Sequence, residues 1–196
     1  VIACNTASAL ALASLRPRYA LPLLGVLEPG VASAIAATRS HKIGVIGTEG
    51  TIKSGAYAQA IQQRLPSAQV VSRACPLFVP LVEEGWGHHE VTRRVAEIYL
   101  GEWKNNSLDT LILGCTHYPL LKETIAEVLP GVTLVDSAQE TAQALRALLA
   151  ERNLLAAGRK GRSRYYTTDV PQKLTELAAR FLGHEMAKVE QTRLGE

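Results

Sequence analysis

Leu111-Ile112-Leu113-Gly114-Cys115-Thr116-His117 and Val1-Ile2-Ala3-Cys4-Asn5-Thr6 share one pattern: an apolar run that ends at a cysteine, followed by polar residues that open a helical stretch. The helical stretch after Cys4 covers 6–15 and is stopped by Arg16-Pro17, with a short apolar strand expected at 23–27. The stretch after Cys115 covers 119–129 and is stopped by Pro130-Gly131, with a strand expected at 132–135. Strand, cysteine turn, helix and strand at nearly equal spacing describe a duplicated parallel βαβ unit. A thiol at a helix N-terminus meets unsatisfied N–H groups and the positive end of the macrodipole, which lower its pKa from about 8.5. Both cysteines are therefore expected to lean toward the thiolate. Two such thiols in matching settings suggest acid/base groups facing each other across one substrate, whereas either alone would read as a small buried hydrophobe.

The chain of 196 residues is long enough for a good core, as one domain or two small ones. No apolar run approaches the roughly 18 residues that span a bilayer, and no cleavable leader opens the sequence, so a soluble cytoplasmic protein is expected. Cys4, Cys75 and Cys115 form neither a Cys-x-x-Cys pair nor a zinc-type cluster, so no disulfide framework, metal site or cofactor is indicated. A net charge of +3 is too weak to argue for nucleic acid. The chain starts without Met inside an apolar strand, which reads as a fragment lacking an N-terminal segment, inactive when isolated.

Between and beyond the cysteine units, strands alternate with helices. Strands are expected at 43–48, 69–73, 108–114 and 163–168. Helices are expected at 50–65, with Tyr57, Ile61 and Leu65 on one face, at 77–84, and at 90–104, with Val91, Val95, Ile98 and Trp103 inward. Ser137 is placed to cap a helix ending near Leu155, with Glu140 three residues on, and Pro171 opens a last helix to about Leu182. The basic run 158–162 reads as a solvated loop. Such alternation gives a three-layer α/β fold with mainly parallel sheets, whose ligands gather at the carboxyl ends of strands.

Ala-Cys-Asn-Thr-Ala-Ser at 3–8 and Gly-Cys-Thr-His-Tyr-Pro at 114–119 resemble the two signature motifs of the glutamate racemase family. Gly-Thr-x-Gly-Thr at 47–51 and Leu-Val-Glu-Glu-Gly at 81–85 resemble that family in the expected order between them. The resemblance runs over essentially the whole chain, and it places an Asp-Ser-Gly loop and a Pro-Tyr-Gly turn upstream of Val1. It implies two α/β domains related by a pseudo-twofold: 1–27 with 137–196 as a first, truncated domain, and 28–136 as the second. It also implies cofactor-independent formation of D-glutamate for bacterial peptidoglycan. Glutamate is the expected partner, a homodimer is a further candidate, and neither nucleic acid nor membrane is involved.

Inverting an α-carbon requires a thiolate on one face and a thiol on the other, and reversing the reaction exchanges their states. By resemblance, Cys4 serves the D-enantiomer and Cys115 the L-enantiomer. Asn5, Thr6 and Thr116 are candidates for donors to a carboxylate or for fixing the ammonium, and each is also an ordinary helix-cap residue. Thr48 and Thr51 flank a turn after a strand, a place for carboxylate contacts as well as for plain capping. His117 is a candidate to assist Cys115 or to pair with substrate. Glu83 is the family's candidate for polarising a partner there, with Glu84 an adjacent competitor and a solvated role for either. Cys75, before Pro76, reads as structural. Gly44 to Gly50 fits neither a P-loop nor a dinucleotide fingerprint, His88-His89-Glu90 is not His-Glu-x-x-His, and no lysine stands out as a Schiff base. The rivals are a two-cysteine racemase acting on aspartate or a related acid, and an inactive binding or regulatory module.

Overall fold

The computed structural model describes residues 1–156, 158, 161–186 and 188–195. It divides into two compact units, Val1–Leu154 and Leu155–Glu196. The first unit is built on four parallel strands, β1 (Lys42–Gly47), β2 (Gln69–Ala74), β3 (Thr110–Gly114) and β4 (Thr133–Asp136), in the order β2-β1-β3-β4. Parallel neighbours need crossovers, and helices supply them. These are α3 (Glu49–Lys53) and α4 (Ala56–Arg64) after β1, α5 (Phe78–Glu83) and α6 (Glu90–Leu100) after β2, and α7 (Lys122–Val128) after β3. Two further helices, α1 (Asn5–Leu15) and α2 (Leu27–Ala37), precede the sheet, and α8 (Ser137–Glu151) follows it.

Side chains alternate across a strand, so one buried run serves two layers. Ile43 and Val45 of β1 and Ile112 of β3 join Leu27, Val31 and Ala34 of α2 and Tyr57 and Ile61 of α4 on one face. Ile46, Leu111 and Leu113 join Phe78, Val82, Ala96, Leu100 and Ile125 on the other. The three-layer α/β class expected from the alternation is the one observed. The second unit is a small parallel pair, β5 (Tyr165–Thr167) and β6 (Val189–Gln191), bridged by α9 (Pro171–Leu182). Among the described residues, no helix is long and apolar enough to cross a membrane.

Several local expectations are corrected. The strands expected on either side of the first cysteine unit reduce to one parallel bridge, Ile2 with Gly25, and Leu27 instead starts α2. The helix expected at 50–65 breaks at Gly55, whose φ of +67 lies in the left-handed region. Residues 118–121 form a 3-10 turn ahead of α7 rather than the first turn of a longer helix. The helix expected at 90–104 ends at Leu100 and buries Thr92, Ala96 and Leu100, leaving Val91 and Ile98 exposed. Val95 packs against the same core, and Trp103, just beyond the helix, is buried as expected. Asp136, not Ser137, caps α8, its carboxylate accepting from the Ala138 N–H at 2.9 Å. The basic run at 158–162 falls partly outside the described residues; Arg162 within it is exposed.

At the carboxyl ends of β1 and β3, Gly47 pairs in register with Gly114. A Cβ at Gly114 would lie 2.6 Å from the Ile46 carbonyl oxygen, a contact with backbone that cannot swing away. Gly114→Ala should therefore destabilise the chain by about 1–3 kcal/mol, the usual cost of overpacking. Gly101→Ala, where a Cβ meets nothing within 4 Å, serves as the control. Urea unfolding of both variants decides this, and equal midpoints would refute it.

Candidate active site

Across the sheet, β2 adds on one side of β1 and β3 on the other. The carboxyl ends of β1 and β3 therefore flank a topological switch point, where open α/β sheets bind ligands. Thr48 follows β1 and Cys115 follows β3, and the Gly47–Gly114 register sets them side by side. The Thr48 hydroxyl caps α3, accepting from the Thr51 N–H at 3.3 Å. Thr6, in the first turn of α1, reaches the same place. Its hydroxyl lies 2.9 Å from those of Thr48 and Thr51, which are 3.1 Å apart. Residues from two separate motifs thus close a ring of three hydroxyls.

Cys4 is the N-cap residue of α1 and is exposed, its thiol making no cap bond. Asn5 is 2% exposed and turns inward. Its Oδ1 accepts from the Tyr57 hydroxyl at 2.5 Å and the Ser137 hydroxyl at 3.4 Å. The capping role open to Asn5 in the sequence is therefore not the one it has. Its Nδ2 is buried and has no hydrogen-bond partner among the described residues.

Cys115 is 6% exposed. Burial pushes its thiol above the ordinary value. The backbone N–H of His117 opposes this, the charge on Cys4 adds to it, and the Thr116 hydroxyl and Tyr118 N–H oppose it less strongly. Desolvation prevails, so the expectation that both thiols lean toward thiolate fails for Cys115. The physical reason is local: the turn after Cys115 leads into a 3-10 stretch, with the nearest α-helix starting only at Lys122. The Cys75 thiol is also pushed up by burial, to about 12, in keeping with a structural role.

His117 joins Cys115 to Glu83. Its Nδ1 lies 3.2 Å from the Thr116 hydroxyl and 4.0 Å from the Cys115 sulfur, and its Nε2 stands 3.3 Å from the Glu83 carboxylate. A carboxylate beside Nε2 favours a proton there and leaves Nδ1 as the acceptor facing the thiol. Glu84 is exposed, so Glu83 rather than its neighbour meets the site. Cys4, Asn5, Thr6, Thr48, Thr51, Cys115, Thr116, His117 and Glu83 all lie at or beside this carboxyl edge. Tyr57 and Ser137 join this cluster through Asn5. The sequence placed one on a core face and made the other a cap. The available signal was the phenol itself, since a buried hydroxyl requires a partner.

Residues 1–145 match the family described as Asp/Glu/Hydantoin racemase. The chain belongs to that family. It is 50% identical over 99% of its length to the glutamate racemase of Geobacter metallireducens, of which it covers 73%. A glutamate racemase isoform from Bacillus anthracis matches with a TM-score of 0.92 at 38% identity, over 97% of this chain and 72% of that one. The Francisella tularensis glutamate racemase solved in complex with D-glutamate matches with a TM-score of 0.90 at 37% identity, over 98% and 72%.

The thiol environments predict an order of reactivity. Alkylation of Cys115 in the ligand-free protein should rise with pH along a curve displaced upward from that of an ordinary thiol, because only the thiolate reacts. Cys75 should stay unlabelled until the fold opens, after which all three cysteines should react alike. Iodoacetamide labelling between about pH 7 and 11 with peptide mapping measures this. A Cys115 curve at or below the position of a free thiol would contradict the burial argument.

Proposed function

We propose that the protein interconverts L- and D-glutamate by a cofactor-independent, two-base mechanism, with Cys4 and Cys115 as the acid/base pair. The observation that carries this reading is the hydroxyl ring. Thr6, two residues from Cys4, bonds to Thr48 and Thr51, which lie beside Cys115 at the switch point. Both cysteine turns are thereby drawn to one polar cluster. The solved D-glutamate complex of the Francisella tularensis relative supports glutamate as the ligand.

One thiolate removes the α-proton and becomes a thiol, while the opposing thiol delivers its proton to the other face and becomes a thiolate. The carbanion formed between these transfers is stabilised by donors to the α-carboxylate, which carries part of its charge. Asn5 Nδ2 and the hydroxyls of Thr6, Thr48, Thr51 and Thr116 supply such donors once the ring opens to a carboxylate. A negative charge on Cys4 raises the pKa of Cys115, so the second ionisation is disfavoured and one thiol keeps its proton. That is the charge state a two-base racemase needs. His117, steadied by Glu83, assists Cys115 in accepting and returning its proton.

Residues 1–27 and 137–196 are proposed as one racemase domain and 28–136 as the other, and the Ser137–Asn5 bond is in keeping with the pairing of 1–27 with the start of 137–196. Free thiols suit a reducing cytoplasm. D-glutamate formed there is available to peptidoglycan synthesis.

In the natural full-length protein, Cys4→Ser and Cys115→Ser should each lower racemisation by about 10²–10⁴-fold, the usual weight of a lost general acid or base. Circular dichroism of D- and L-glutamate, without added cofactor, follows the reaction, and aspartate in the same assay tests the choice of substrate. Near-wild-type turnover by either variant would refute the two-base reading.

A further inference from the structure

The Asn5 carboxamide is held at one end only. Both lone pairs of Oδ1 are taken, by the Tyr57 hydroxyl at 2.5 Å and by the Ser137 hydroxyl at 3.4 Å. Nδ2 is buried and, among the described residues, has no partner. Buried polar groups are nearly always satisfied, so a donor left over in this way calls for an acceptor brought from outside. The two hydroxyls are themselves held. Tyr57 is 2% exposed on α4, and burial raises its pKa, keeping the phenol a donor throughout the working range. Ser137 is free for this contact because Asp136 caps α8 in its place. Gly30 of α2 closes the space behind them: a Cβ there would meet Ser137 Cβ at 3.3 Å and the Tyr57 oxygen at 3.8 Å.

We propose that Tyr57 and Ser137 are positioning residues for substrate binding. By bonding one end of the Asn5 amide they fix its plane and aim its other end at a carboxylate of the bound amino acid. Neither needs to touch substrate. A hydroxyl accepts as well as donates, so the anionic group of the ligand selects the sense in which NH2 faces it, within the plane that the two hydroxyls set. This inference rests on the glutamate racemase reading given above.

A double-mutant cycle in the natural full-length protein tests it. Tyr57→Phe keeps the ring and removes the donor, and it should raise KM for glutamate about five- to tenfold, the worth of one hydrogen bond. Ser137→Ala, a smaller change at a longer contact, should raise KM about two- to threefold and provides the same test if Tyr57→Phe fails to fold. Asn5→Ala removes the group being positioned. In that background, either hydroxyl variant should change KM by less than about twofold, because a residue acting only through Asn5 has nothing left to orient. Full, additive penalties in the Asn5→Ala background would assign Tyr57 and Ser137 to general packing and overturn the inference. An unchanged KM for both single variants would do the same. A wild-type protein that turns over no glutamate would remove the functional reading and this inference together, whereas an active wild type with additive penalties removes the inference alone.

Discussion

The register that sets Gly47 opposite Gly114 at the carboxyl ends of β1 and β3 is the constraint on which the site depends. With Gly47 opposite Gly114, no side chain separates the two strand ends. The two loops that leave them diverge from almost one point. Thr48 departs toward α3, and Cys115 departs toward the turn that holds His117. A side chain at Gly114 would push the strands apart, and the hydroxyl cluster and the thiol would separate with them. A backbone spacing thus sets the distances over which the chemistry operates.

From that point outward, the site is assembled by contacts distant in sequence. The hydroxyl ring joins residues 42 and 45 positions apart, and the Ser137–Asn5 bond spans 132. α1 is attached through this polar seam, through Ser8, whose hydroxyl donates to the Ile2 carbonyl and accepts from the Val26 N–H, and through the buried Leu12 and the packed Ala9. The alignment of Cys4 therefore draws on hydrogen bonds as well as apolar packing, whereas Cys115 is embedded in the apolar cluster around Phe78 and Tyr118.

The periodicity of the sequence made the sheet and most helices legible, because β1 and β3 are unbroken apolar runs and α9 begins at a proline. Thr48 and Cys115 could be located for the same reason, each following a strand end, whereas Cys4 was legible from its motif although its strand shrinks to a single bridge. What could not be read was set by tertiary context. Ser137 and Asp136 are equally good cap residues in isolation, and only the Asn5 amide decides which faces inward. The pKa of Cys115 depends on how deeply the thiol is packed, which helix-terminus arguments do not address. The inward face of α6 took Thr92, Ala96 and Leu100 with Val95 beside them, and left out Val91 and Ile98, since which residues meet the core is a property of the pair of surfaces and not of one helix.

Burial of the Cys115 thiol has a chemical consequence beyond proton transfer. Peroxides and other oxidants attack the thiolate, and susceptibility follows thiolate character and exposure. A sulfur that is 6% exposed and held protonated in the resting protein is slow on both counts. The packing that makes Cys115 a reluctant acid therefore also shelters it from conversion to sulfenic or sulfinic acid while no ligand is bound. Durability against oxidative damage is obtained from the same contacts that tune its basicity.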